Sequence, residues 1–98
     1  MASFRAFTKT VTSAGTAEAL KSSSTLASSF VIRGMENNSG NVFLGDSTVS
    51  SATGALEPRA AITFGGDRNI GTVDLNDIYV DAANNSDGVD VWYMDSTP

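Results

Sequence analysis

Cysteine and histidine are both absent from this 98-residue chain, and proline occurs only twice. Without cysteine there is no disulfide framework, so a domain this short must find its stability in its own modest core or in partner chains. With neither thiolate nor imidazole available, the usual zinc, iron and copper sites are nearly excluded, because carboxylates alone suit harder ions. The same absences remove Ser-His-Asp and Cys-His nucleophilic chemistry. Long apolar runs are missing as well. Nothing approaches the roughly 20 residues of a membrane span, and the opening MASFRAFTKTV has no secretory apolar stretch, so the expectation is a protein that touches no membrane and is made and kept in a cytoplasm until release.

Bases are missing from the end of the chain. Residues 1–68 hold all six (Arg5, Lys9, Lys21, Arg33, Arg59, Arg68) against five acids, a sum of +1, whereas residues 69–98 hold six aspartates and no base, a sum of −6. Affinity for nucleic acid comes largely from lysine and arginine neutralising phosphates, so no nucleic-acid partner is expected. The asymmetry has two readings: the aspartates form a solvated face with loop residues, or a basic edge of one subunit meets an acidic edge of the next.

What is present is β-leaning: 41% apolar residues, only 17% charged, and much Ser, Thr, Gly and Asn. Phe4 to Thr12 mixes period-two alternation with β-branched residues and reads as a strand. Ala17 to Lys21 is too short for a helix and reads as a short strand or irregular edge. Ser22 to Ser29 reads as a polar loop interrupted by Leu26, and Phe30 to Glu36 as a buried strand. Asn37-Asn38-Ser39-Gly40 then reads as a tight reversal, with Gly40 left-handed, into an antiparallel hairpin with Asn41 to Gly45. Turns at Asp46-Ser47 and Ala52-Thr53-Gly54 flank Thr48-Val49-Ser50, and Ala60 to Phe64 is a further strand. Ile70 to Leu75 is weakly extended, Asp77 to Asp81 is a strand, Asn84 to Gly88 is a turn, and Val89 to Met94 closes the chain with Val89, Val91 and Tyr93 on one face. Seven to eight short strands at intervals of about ten residues, with no convincing helix, predict a single all-β domain over residues 1–98, an antiparallel β-sandwich or jelly roll.

Phe30-Val31-Ile32-Arg33-Gly34, Asn38-Ser39-Gly40-Asn41-Val42-Phe43-Leu44-Gly45, Leu56-Glu57-Pro58, Asp77-Ile78-Tyr79-Val80-Asp81 and Asp87-Gly88-Val89, in that order and spacing, resemble small structural proteins of tailed bacteriophage virions. The resemblance covers residues 17–94. The chain departs from that pattern at Arg59, where glycine is common, and by an insertion around Gly65 to Gly71. The resemblance implies a β-sandwich that does no chemistry and serves as a capsid decoration (cement) protein, a fibre module or a tail component. The expectation drawn from it is a virion protein on the capsid surface, synthesised in the host cytoplasm, a homo-oligomer with a trimer favoured, whose partner is the major capsid protein. The alternative is a tail, neck or fibre adhesion module that binds host surface glycans.

Candidate sites have plain readings beside sharp ones. Asp81 to Gly88 is rich enough in oxygen to suggest a calcium loop but lacks the EF-hand spacing and its distal glutamate, so an ordinary turn is expected. Gly65 to Gly71 has glycines but no Lys-Ser/Thr pair and no following helix to hold phosphate. Asp74 and Asp77 are the minimum equipment for glycoside hydrolysis, yet nothing in their spacing aims them at a cleft. No catalytic residue, cofactor or metal is expected. Tyr79, Trp92 and Tyr93 suit a sugar platform, a core or a subunit interface, the last two favoured. Met35 and Met94 read as adaptable filler. Phe4 and Phe7, three apart on one strand, cannot enter the same core, so one of them is expected against another chain. Phe4, Arg5, Phe7 and Lys9 are the candidate partner interface, and residues 1–12 a strand or arm in subunit contacts.

Overall fold

Short alternating strands bury one face each and must stack to do so, and the computed structural model shows them stacked as two antiparallel sheets. It describes residues 3–50, 54–65 and 72–96. Nine strands follow one another: β1 (Ser3–Thr10), β2 (Glu18–Ala19), β3 (Leu26–Gly34), β4 (Val42–Gly45), β5 (Ala55–Leu56), β6 (Ala61–Gly65), β7 (Val73–Asp74), β8 (Tyr79–Ala82) and β9 (Gly88–Asp95). The first sheet has the order β1-β9-β3-β6, with β7 added beside β3; the second has the order β2-β8-β4-β5. The fold is an all-β sandwich.

The core lies between the sheets and is aliphatic. Ile32, Val89 and Val91 from the first sheet and Val42 and Val80 from the second are fully buried, with Val11, Leu75 and Leu56 closing the ends. On β9 the alternation is as the residues suggest: Val89, Val91 and Tyr93 are buried, while Asp90, Trp92 and Met94 are half-buried on the outer face. Phe43 and Val49 are buried outside this core. Val49 folds back beside Gly45, where a Cβ would meet it at 3.2 Å, so the loop after β4 covers the outer face of the second sheet.

Three local expectations are corrected. Asn37 to Gly40 is not a hairpin turn: β3 and β4 lie in different sheets, and Gly40 is not among the positive-φ glycines of the described residues. Its small polar residues serve a crossing between sheets. Leu26 to Ser29 belongs to β3, because a register shift against β9 between Ala27 and Phe30 lets both side chains face the core despite their odd separation. The turn expected at Asp46-Ser47 is present, closed by the Val49 N–H on the Asp46 carbonyl at 3.0 Å. Leu75 to Asp77 is a 3-10 turn, so the strand expected from Asp77 begins only at Tyr79. The left-handed corners are Gly15 and Gly54, with Arg59 and Ser86 as the non-glycine cases. Residues 51–53 and 66–71, which hold most of the Ala52 to Gly54 turn and the glycine-rich insertion, lie outside the described residues.

Candidate functional site

The four interface candidates sit on β1, an outer strand of the first sheet that pairs with β9 along its whole length. The register sets their fates. Arg5, Phe7 and Lys9 stand opposite Tyr93, Val91 and Val89 on the inward side; Phe4, Ala6 and Thr8 stand opposite Met94, Trp92 and Asp90 on the outward side. The Phe7 ring meets Tyr93 edge-on, with centroids 5.7 Å apart at 80°, and carries the Lys21 ammonium 4.6 Å over its face. It packs against the core cluster. Phe4 remains 67% exposed.

The two cations of β1 differ in the same way. Lys9 Nζ is 2.9 Å from Glu18 Oε1, and the other Glu18 oxygen accepts the Thr12 and Ser13 N–H groups at 2.8 and 3.3 Å. The Lys9 hydrogen bond, followed by those two backbone donors, holds the Glu18 carboxyl below its usual value against the opposing effect of burial. Lys9 is thus committed within the chain. Arg5 Nε lies 3.0 Å from Asp95 Oδ2, but its side chain is 60% exposed. Of the four candidates, Phe4 and Arg5 face solvent, while Phe7 and Lys9 hold the sandwich together.

Across the outer face of the first sheet, Ala6, Trp92, Val31 and Thr63 stand in register on neighbouring strands. The Arg33 guanidinium lies 5.3 Å from the Trp92 ring centre and donates to Asp90 Oδ2 at 2.8 Å, and Thr8 Oγ1 donates to Asp90 Oδ1 at 2.8 Å. Arg33 Nε is buried without a partner among the described residues. Beside this ladder, Phe4, Val31, Trp92 and Met94 border a shallow groove of about 140 Å³. A second hollow of about 240 Å³ lies between Ala6, Thr8, Asp90 and Trp92.

A larger opening separates the sheets on the β6 side. This cleft of about 510 Å³ is lined by Phe30, Ile32, Leu44, Leu56, Ile62 and Phe64, with the carboxylates of Asp46 and Asp77 among its border residues. Phe64 is half exposed, its ring stacked on Phe30 at 5.0 Å. Asp46 accepts the Thr48 N–H and hydroxyl, and the hydroxyl above all lowers its pKa. The Asp77 carboxylate has no hydrogen bond or ion pair among the described residues.

Most other acids of the last third hold loops. Asp87, buried, accepts the Ser39 and Gly40 N–H groups at 3.0 and 3.1 Å. Asp81, also buried, accepts from Gly15 N at 2.8 Å and from the Ala82 N–H. Asp74 caps the 3-10 turn through the Asn76 N–H and also accepts from Thr25 N and Ser24 Oγ. These bonds, with Ser24 first, hold its carboxyl below the ordinary value. The two ends of the suggested calcium loop are therefore spent on separate backbone segments. Among the described residues no three metal-ligating side chains lie together. Sequence reasoning missed these roles. The available signal was the Asp-x-Asn of Asp74 to Asn76, an acid two residues before the N–H it caps.

The class defined by this fold is an antiparallel β-sandwich whose described surface includes an aromatic face and an apolar cleft. Compared with protein-family models, with curated proteins and with solved structures, the chain matches none. Among the described residues no helix is long and apolar enough to cross a membrane.

Proposed function

We propose that this chain is a virion structural protein, a capsid decoration protein that self-associates, as a trimer in the favoured form, and seats on the assembled major capsid lattice. The observation that carries the reading is the outer face of the first sheet. It presents Phe4, Val31, Trp92 and Met94 together on a rigid ladder, an aromatic-centred patch of the composition that stable protein contacts favour. Asp74, Asp81 and Asp87 serve as loop clamps, which suits a scaffold. Arg59 adds support: it stands at φ 70°, in the left-handed region, at the position where the resembled virion proteins often have glycine. Binding only the assembled shell stabilises that shell by mass action, and many modest contacts repeated over a lattice make the effect large.

A second reading, a tail, neck or fibre module for host glycans, is favoured by the hollow beside Trp92, where an aromatic ring stands next to Asp90 and Thr8. Mass measurement of purified particles separates the two. Copies in fixed ratio to the major capsid protein, together with particles that break at lower temperature when the gene is deleted, support decoration. A handful of copies per particle with measurable sugar binding refutes it.

A further inference from the structure

The cleft between the sheets has carboxylates on its border and the N-terminal strand has an exposed cation, and the two features belong to the two outer strands of one sheet. The cleft opens at β6, while β1 is the other outer strand of the same sheet, with β9 and β3 between them. Phe4 and Phe64 are the large apolar side chains left exposed among the described residues, one on the strand and one on the cleft wall. Asp77 is a carboxylate at the cleft with no partner among the described residues, and Asp46 is also on its border. Arg5, adjacent to Phe4, is the most exposed cation of β1.

We infer that the cleft receives the Phe4-Arg5 end of β1 from a second copy of this chain. The inference rests on the self-association proposed above and names its contact. Neighbouring residues of an extended strand point to opposite sides, so the Phe4 ring enters between Leu44, Ile62 and Phe64 while the Arg5 guanidinium stays at the rim facing Asp77 and Asp46. The alternative for Phe4 is two-thirds exposure to water, and for the cleft an open apolar wall; each relieves the other. Because the donor and acceptor surfaces are different patches, the contact is head-to-tail. Such contacts close into rings when the rotation allows and otherwise run on as filaments. The contact also covers β1 or β6 edges that a lone sandwich leaves available for wrong pairing.

The test is sedimentation velocity on the full chain over a wide concentration range, with Phe4→Ser, Arg5→Glu and Asp77→Arg made singly and the last two combined. All three positions are exposed, and circular dichroism and melting verify that each variant stays folded. The wild type is expected to associate. Phe4→Ser should weaken association roughly 30-fold, the effect of removing a central aromatic anchor. Arg5→Glu and Asp77→Arg should each weaken it roughly 10-fold, by placing like charges together. The doubly reversed chain should regain most of that loss. A mixture of Phe4→Ser, which keeps a working cleft, and Asp77→Arg, which keeps a working donor, should form pairs and nothing larger. Wild-type association unchanged by Phe4→Ser, or a double reversal weaker than either single, overturns the inference. So does a strictly monomeric wild type whose cleft takes up a hydrophobic dye, which would assign the cleft to another occupant. A monomer found at capsid stoichiometry on particles refutes this contact but keeps the decoration role; an associating chain absent from particles does the reverse.

Discussion

Asp87 is the most informative position for stability, because its carboxylate holds the crossing that carries the chain from the first sheet to the second. It is 5% exposed and accepts the Ser39 and Gly40 N–H groups. Beside it, Asn38 pairs with Gly88 as a strand neighbour would, its Nδ2 donating to the Gly88 carbonyl at 2.8 Å and its Oδ1 accepting the Gly88 N–H at 2.9 Å. Asp87→Ala removes both carboxylate bonds and leaves two donors short of a partner. At about 1.5 kcal/mol per bond to a charged acceptor, the lower end of the usual range, the cost is about 3 kcal/mol. With a urea m-value of about 1.5 kcal/mol/M for a small domain, the unfolding midpoint should fall by about 2 M. Asp87→Asn keeps one acceptor oxygen and should lose about half as much. Because Asn38 and Asp87 hold the same crossing, Asn38→Ala combined with Asp87→Ala should cost less than the sum of the two singles, with a coupling of about 1 kcal/mol. Equilibrium urea unfolding followed by tryptophan fluorescence, with Trp92 as the sole reporter, gives these values. A midpoint for Asp87→Ala within experimental scatter of the wild type would falsify the reasoning, since the crossing would then be held by other contacts.

Phe7→Ala should destabilise the isolated domain by about 2 kcal/mol, less than a fully buried phenylalanine because Phe7 is only half-buried, whereas Phe4→Ala should stay within about 0.5 kcal/mol of the wild type; thermal melts at low protein concentration compare them, and equal losses would contradict the assigned faces. Gly88→Ala should unfold the domain or cost more than about 3 kcal/mol, because a Cβ there would overlap the Lys9 carbonyl oxygen where β1 meets β9; a folded variant of near-normal melting temperature contradicts that packing. Arg59→Gly should stabilise by about 0.5 kcal/mol: relief of the left-handed backbone, worth about 1–2 kcal/mol, outweighs the greater entropy of the unfolded glycine chain and an exposed Glu36 pair of little value. A lower melting temperature for this variant contradicts the balance. Glu18, Asp46 and Asp74 all titrate below their ordinary values near 4.5 for glutamate and 3.8 for aspartate. Their folded forms bind protons less readily than the unfolded chain, so their stabilisation is complete above those ordinary values and is lost as pH falls through the lowered ones. Melting temperature should be level from neutral pH down to about 5 and then decline, more steeply in the wild type than in Glu18→Gln; superimposable acid limbs for the two proteins contradict the Glu18 assignment.

Strand positions were legible because side-chain alternation is a local property. Val89, Val91 and Tyr93 point inward on β9 for the same reason that their spacing suggests it, and Phe4 and Phe7 part company because an odd separation on a strand separates faces. The all-β class followed from repeated short runs without helical period. Pairing partners were not legible in this way. Asn37 to Gly40 has hairpin chemistry, yet β3 and β4 belong to different sheets, because the pairing of β4 with β8 and the clamp from Asp87, nearly fifty positions away, outweigh any local turn preference. The bulge in β3 arises from pairing with β9, so Leu26 to Ser29 looks like loop until its partner is placed. The acids of the last third show the same division most clearly. Their number and sign are properties of the chain, but whether an aspartate is buried under two N–H groups or stands at the border of a cleft depends on which distant backbone the fold brings to it, as Asp87 and Asp77 show. Local alternation acts between neighbours and is written in residue order; partner, cleft and clamp arise between segments far apart in the chain, where only the packed sheets decide which groups meet.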